Sequence, residues 1–231
     1  MRVGVDIGGT FTDLVLSVDG HLHIHKLLST PRNPAEAMLA GLDAVTPNGL
    51  NALNAAAATI AHGSTVATNA ILERKGARTA FLTTQGFRDL LFIGRQERPV
   101  LYALQPQLAP PLVPRRWCYD VPERLDHTGA ILTRLDLAAL DLVLDDMAAE
   151  SIESIALCFL YSYVNPAHER KARERILARG MWQEWQVALS SDVLPEFREY
   201  ERASTVVLDA YVRPVMSRYL QQLEDQLPPR C

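Results

Sequence analysis

Residues 3–13 read VGVDIGGTFTD. An apolar run ends at Asp6, two glycines follow, and two threonines flank Phe11 before Asp13. The chain then returns to LVLSVD, which alternates with period two, the period of a strand. That order decides the reading of the loop. A dinucleotide-binding turn needs G-x-G-x-x-G running into a helix, and the spacing here differs. A Walker loop needs G-x-x-x-x-G-K-[ST], and this loop has no lysine. The glycines therefore join strand to strand. Gly8 and Gly9 are expected to permit positive φ and close approach of an oxyanion to backbone N–H groups. Thr10 and Thr12 add hydroxyl donors. Asp6, set too far back to touch a phosphate, suits a hydrated Mg²⁺ beside it. The plainer alternative is a tight turn with incidental polar residues.

Residues 2–7, 13–19 and 21–28 read as strands, with Gly20 at a turn, so the chain opens on an antiparallel meander. A helix is predicted from Ala35 to about Val45, with Pro34 in its first turn. ATIAH (58–62) is a short apolar run broken at Gly63 and Ser64, and VATNAILERKG reads as a helix stopped by Gly76. TAFLTT (79–84) reads as a buried strand and Phe87–Leu91 as a short helix. Six prolines between 99 and 122 predict an irregular connection. Beyond it come CYDVPERLD, a helix over 135–150, a strand in IESIALCFLY, a charged helix over 166–179, a strand in VALSSDV and a long helix over 199–226. The alanine-rich stretch 52–58 is too short to read as disordered.

With 231 residues, 48% hydrophobic and 22% charged, the chain has ample material for a core. A net charge of −4 gives no electrostatic case for nucleic acid. No apolar run approaches the ~20 residues of a membrane span, and MRVGVDIGG has no signal-peptide core. Cys118, Cys158 and Cys231 are scattered and odd in number, so no disulfide framework is expected and a cytoplasmic location is the default.

VGVDIGGTFTD resembles the first phosphate motif of the actin, sugar-kinase and chaperone ATPase superfamily. The chain more narrowly resembles the N-terminal region of the hydantoinase A/5-oxoprolinase family. The segments that carry this are VGVDIGGTFTDLVL, HGSTVATNAILERKGARTAFLTTQGFRDLLFIGRQERPVLYAL, PPLVPRRWCYDVPERLDHTGAIL and SSDVLPEFREYERASTVVLDAYVRPVMSRYL. The resemblance implies an α/β, ribonuclease H-like, actin-type ATPase lobe, with a mixed sheet opening on the meander. It implies residues 1–198 as the family's N-terminal domain and 199–231 as a helix beginning the next. ATP and Mg²⁺ are the implied cofactors. The implied chemistry is phosphorylation of the amide oxygen of a cyclic amide such as 5-oxoproline or a hydantoin, which lets water open the ring. Related members carboxylate acetone or acetophenone. Asp6 and Asp13 then fall on the catalytic and metal side, and Gly8, Gly9, Thr10 and Thr12 on the phosphate side.

No second D-x-G-G-T loop follows between residues 14 and 231. The chain is therefore expected to be a first lobe, as a fragment or a split subunit, with a second large hydantoinase-type subunit as partner. The rivals are a non-catalytic subunit whose partner supplies the second phosphate loop, and a sugar or acetate kinase-like enzyme.

Other residues have functional and plainer readings. His21, His23 and His25 share one strand face, but the expected arrangement leaves them exposed with Leu22 and Ile24 buried. His62, Ser64 and Thr65 lie at a strand-to-helix junction that suits an anion or a simple cap. Glu73, with Arg74 and Lys75, reads as a solvated helix end. Arg95 lies in a loop able to bind a carboxylate, or is surface charge. Arg198, Glu199, Glu201 and Arg202 open the last helix, either as exposed ion pairs or, for Glu199 and Glu201, as substrate or inter-lobe groups.

Overall fold

The computed structural model describes residues 1–30, 33–46, 59–97, 102, 104 and 109–227. Residues 52–58 and most of 98–108 lie outside that set. The chain divides into two compact units, Met1–Lys75 with Val215–Cys231, and Gly76–Pro214.

The first unit is built on a four-stranded sheet in the order β3-β2-β1-β4. β1 (Arg2–Ile7), β2 (Phe11–Val18) and β3 (His21–Leu28) run antiparallel, and β4 (Thr59–Ser64) lies parallel to β1. The meander and mixed sheet are as the sequence predicts, except that β4 carries on through Gly63 and Ser64. On one face, Val3, Val5, Ile7, Leu14 and Leu16 pack against Met38, Leu39 and Leu42 of α1 (Pro34–Val45). Tyr219 and Leu223, from α7 (Glu199–Gln226), complete this core. α2 (Val66–Leu72) follows β4.

One expectation holds in part: His21 and His23 are exposed, but Leu22 and Ile24 are exposed as well rather than buried. Asp19 and Gly20 both take positive φ, 49° and 78°, between strands paired as Val18↔His21. That is the two-residue hairpin turn whose twist suits the strands, and it fixes the register. His21, His23 and His25 then fall on the face of buried Leu14 and Leu16, and Leu22 and Ile24 point outward, 67% and 76% exposed.

The second unit holds a parallel sheet in the order β10-β9-β5-β6, made of β10 (Val187–Leu189), β9 (Ser154–Cys158), β5 (Thr79–Thr84) and β6 (Cys118–Val121). β5 and β9 are buried along their whole length, as parallel strands covered on both faces must be. α4 (Leu137–Ala149) and α5 (Ala167–Ala178) cover one face, where Leu140, Leu144 and Ile176 meet Leu82, Ile155 and Leu157. On the other, Ala203, Val206, Val207 and Ala210 of α7 meet Phe81, Ala156 and Ala188. α4 opens on Asp136, whose carboxylate accepts from the Ala138 and Ala139 amides, a strong N-cap. A short α3 (Leu90–Ile93), a hairpin of β7 (Arg124–Leu125) and β8 (Ile131–Thr133), and α6 (Ser190–Val193) complete the unit.

α7 begins where the sequence places it, but it contributes residues to both units and contains Pro214, where the division falls. Arg202 is fully buried, against the expectation of an exposed ion pair. It donates to the Phe159 and Glu196 carbonyls at 2.8 and 2.9 Å and to Ser190 Oγ at 3.2 Å. The same Ser190 hydroxyl donates to Glu169, which is also fully buried and accepts from the Phe159 amide and from Ser191. His168 Nδ1 lies 2.7 Å from Glu123, whose other oxygen takes the Thr84 hydroxyl. This buried polar set joins the C-terminal ends of all four parallel strands.

Candidate functional site

The loop Gly8–Thr10 joins β1 to β2, strand to strand, as its sequence requires. The Gly8 amide donates to the Phe11 carbonyl at 3.0 Å. Ser29, just past β3, ties the loop from beneath. Its hydroxyl donates to the Gly8 carbonyl at 2.8 Å, its amide donates to the Thr10 carbonyl at 2.9 Å, and Thr12 Oγ1 lies 3.0 Å from its Oγ. Among the described residues, the Gly9 and Thr10 amides donate to no internal acceptor, and both residues are exposed. Two N–H groups on an anchored turn suit an oxyanion.

Two expectations about the loop change. Neither Gly8 nor Gly9 takes positive φ. Glycine is needed at 8 for space, because a Cβ there would sit 3.1 Å from the Phe11 carbonyl oxygen, while one at 9 would meet Asn69 Nδ2 at 3.6 Å. Thr12 is fully buried against Ser29, so its hydroxyl braces the turn from behind.

Beside the loop lies a cavity of about 460 Å³, lined among others by Gly8, Gly9, Thr30, Thr65, Asn69, Arg218 and Tyr219. Its size suits a small ligand. Thr65 forms its back wall. The Thr65 amide and hydroxyl both reach the Ile7 carbonyl at 3.1 Å, and Asn69 Nδ2 donates to Thr65 Oγ1 at 3.2 Å. Ser64 accepts the Val66 amide at 3.2 Å, so it serves the start of α2. Lys75 pairs with Glu73 at 2.7 Å. Arg218, exposed at the rim, has no ion pair among the described residues.

His62 is half-buried, with Nε2 2.6 Å from the Tyr219 hydroxyl. Burial pushes the His62 imidazole below its usual value, opposed by the charge of Asp6. Burial pushes the Tyr219 phenol up to about 12. The phenol therefore stays protonated beside a neutral imidazole, and the His62 tautomer sets which of the two donates.

Asp6 lies on the outer face of β1, exposed, and a Cβ on Gly63 would meet its Oδ1 at 3.4 Å. It is not among the residues lining the cavity. Its register partner on β2 is Asp13, and Asp13 pairs with Lys26 at 2.6 Å. Directly opposed residues hold their Cβ atoms about 5 Å apart. Two carboxylates at that spacing, one already neutralised, fit Mg²⁺, which binds through one or two carboxylates, water and substrate phosphates. Among the described residues no cluster of three or more His, Cys, Asp or Glu side chains forms a metal cage.

The remaining expected residues belong to the second unit. Arg95 binds Glu201 at 2.7 Å, with its guanidinium 6.0 Å from the Tyr200 ring. Each raises the charged fraction of the other, Arg95 shifting up and Glu201 down. Glu199 opens α7. Gln96 and Arg198, flanking this pair in sequence, take positive φ of 58° and 77°. The sequence reading missed Ser29, Asn69 and Tyr219 as site residues, none of which lies in the glycine motif. Tyr219, more than two hundred residues from the glycine loop in sequence, is carried to the cavity by α7.

No helix among the described residues is long and apolar enough to cross a membrane. An uncharacterised protein of Methanocaldococcus jannaschii is 37% identical over 231 residues, covering 98% of this chain and 33% of its own length. Caprolactamase subunit alpha of Pseudomonas jessenii is 33% identical over 233 residues, covering 96% of this chain and 33% of its own. The crystal structure of ATP-dependent caprolactamase from Pseudomonas jessenii superposes on 97% of this chain and 33% of that one, with a TM-score of 0.83 and 31% identity. The chain thus spans about a third of the length of these relatives, and its α/β fold is theirs. Residues 2–180 match the hydantoinase/oxoprolinase N-terminal region, and the chain belongs to that family.

Proposed function

We propose that this chain is the phosphate-gripping lobe of an ATP-dependent enzyme that activates the amide of a cyclic substrate such as a lactam, 5-oxoproline or a hydantoin. The observation that carries the reading is the strand-to-strand glycine loop, with its outward Gly9 and Thr10 amides beside the Asp6–Asp13 pair. In this reading those amides hold phosphate oxygens of ATP, and Thr10 adds a hydroxyl. Asp6 and Asp13 hold hydrated Mg²⁺, which supplies charge neutralisation in phosphoryl transfer. Transfer to the amide oxygen makes the carbonyl carbon open to attack by water. The cavity walled by Thr65, Asn69 and Tyr219 is the place for the small amide. A partner polypeptide supplies the second phosphate loop, and Arg95, Glu199 and Glu201 serve the substrate or that partner.

Calorimetric titration with Mg·ATP tests this. Wild type is expected to bind, and Gly9→Val to lose at least tenfold in affinity. Equal affinities would remove the loop from the nucleotide site. A non-catalytic role in a larger assembly is the second reading. Relatives named as subunits, caprolactamase subunit alpha and acetone carboxylase beta subunit, favour it, and it is distinguished by nucleotide binding without turnover after the partner is added.

A further inference from the structure

In the second unit a cavity of about 440 Å³ is lined by α4 on one side and by the edge of the parallel sheet at β6 on the other. Asp146 and Glu150 come from the α4 side, with Val143 one turn earlier on the same face. Arg88, from the segment after β5, and Arg116, from the turn before β6, come from the sheet side. Tyr119 and Asp120 of β6 join them. Among the described residues none of these five charged groups forms an ion pair. Their sequence neighbours do. Asp89, next to Arg88, pairs with Arg115, next to Arg116, and Asp145, next to Asp146, pairs with Arg179. Each of those pairs leaves the adjacent charge to the cavity. Asp120 accepts the Gly86 amide at 2.8 Å and Glu150 the Trp117 indole N–H at 2.9 Å, while the Arg116 guanidinium stacks 4.6 Å from the Trp117 ring. Arg88 Nε is buried with no hydrogen-bond partner, and Arg88 Nη2 reaches the Arg115 carbonyl only at 3.4 Å. An unpaired buried donor on a charged group costs stability, so its placement calls for a role beyond folding. Burial, with the carboxylates of Asp146 and Glu150, pushes the Tyr119 phenol up, so it remains a neutral hydroxyl at the cavity wall.

We propose that this cavity binds an amino carboxylate, a small zwitterion whose carboxylate lies on Arg88 and Arg116 and whose ammonium lies on Asp146 and Glu150. Guanidinium groups take a carboxylate through paired N–H donors. Three carboxylates against two guanidiniums disfavour a free phosphate or a nucleotide. The two guanidiniums equally disfavour a bare cation. A molecule carrying both charges satisfies both walls, and the Tyr119 ring and Val143 lie against its methylenes. The cavity is large enough for it. The site belongs wholly to the second unit, and it stands whether or not the glycine loop of the first unit takes phosphate.

Calorimetric titration of the chain with glycine, 4-aminobutyrate and 6-aminohexanoate tests the site, since these probes set the ammonium and carboxylate progressively further apart. At least one is expected to bind saturably, and at least tenfold more tightly than butyrate or butylamine, which each carry one of the two charges. Arg88→Met and Asp146→Asn are each expected to weaken that probe at least tenfold. Arg88→Met is also expected to keep or raise the thermal midpoint, because it removes the unpaired Nε–H, which an arginine placed for folding would not do. Asp146 is exposed, so Asp146→Asn decides the case if Arg88→Met unfolds. No saturable binding of any of the three probes, or equal affinity for butyrate or butylamine, would overturn the proposal. A probe that binds both variants as tightly as wild type would overturn it too, as would a lowered midpoint in Arg88→Met with binding retained.

Discussion

Asp6 and Asp13 oppose each other across β1 and β2, and Lys26, next in the same row on β3, neutralises Asp13 alone. Like charges directly opposed in a sheet repel, so the pair is an arrangement that a cation relieves. In Asp6→Asn, the gain in ATP affinity on adding Mg²⁺ is expected to fall at least tenfold, while metal-free ATP binds within about threefold of wild type. Calorimetry with and without Mg²⁺ measures both. An unchanged Mg²⁺ dependence would detach the metal from this row.

The bond between His62 and Tyr219 sets a pH dependence. Burial holds folded His62 below its unfolded value of about 6.5, so the unfolded chain binds more protons between the two values. The stability from neutral His62 is therefore complete above about pH 6.5 and lost as pH falls through the folded value. His62→Gln is expected to be less stable than wild type at neutral pH, with a gap that narrows as the pH falls below about 6.5. Urea midpoints across that range check it, and a gap that stays constant with pH would contradict it. Tyr219→Phe is expected to lose about 1 kcal/mol, the usual net value of one such bond.

Arg202 sits at the centre of the buried polar set in the second unit. Removing one side of a buried charge arrangement costs about 3–5 kcal/mol, because its partners are left unsatisfied. Arg202→Met is expected to destabilise within that range, and Glu169→Gln with Arg202→Met by less than the sum of the two. A denaturation series on the single and double variants measures the coupling. A loss below about 1 kcal/mol, as for an exposed pair, would contradict the network.

Glycines 76 and 9 separate structural from ligand-directed effects. A Cβ on Gly76 would lie 2.1 Å from the ring of Tyr211, which is nearly buried. Gly76→Ala is expected to cost about 1–3 kcal/mol through overpacking. Gly9→Ala meets only Asn69 at 3.6 Å and is expected to leave thermal stability nearly unchanged. Thermal unfolding of both distinguishes them, and equal losses would contradict the account of the loop.

Much of this was legible in the sequence where a local pattern alone decides the outcome. The return to period two after Gly9 separates the hairpin from helix-leading phosphate loops, and the structure places β2 there. The long buried runs of β5 and β9 were equally readable. What failed depends on a partner distant in sequence or on a parity that alternation cannot supply. HLHIH names two faces without saying which one shares the side of Leu14 and Leu16, and the Asp19–Gly20 turn decides it. Arg202 reads as one charge among several in EFREYERAS, yet its acceptors come from Ser190, Glu196 and the end of β9. Glu169 is likewise hidden in the charged run HERKARER. Ser29 and Tyr219 lack a local signal because the loop and cavity they complete belong to other segments.

In the proposed function the Gly9 and Thr10 amides receive phosphate. Amide NMR of the ¹⁵N-labelled chain titrated with Mg·ATP tests it most directly. The Gly9 and Thr10 resonances are expected to move most, downfield as new hydrogen bonds form, and Gly9→Val is expected to abolish saturation. ATP-induced shifts that leave Gly9 and Thr10 in place and gather elsewhere would contradict it.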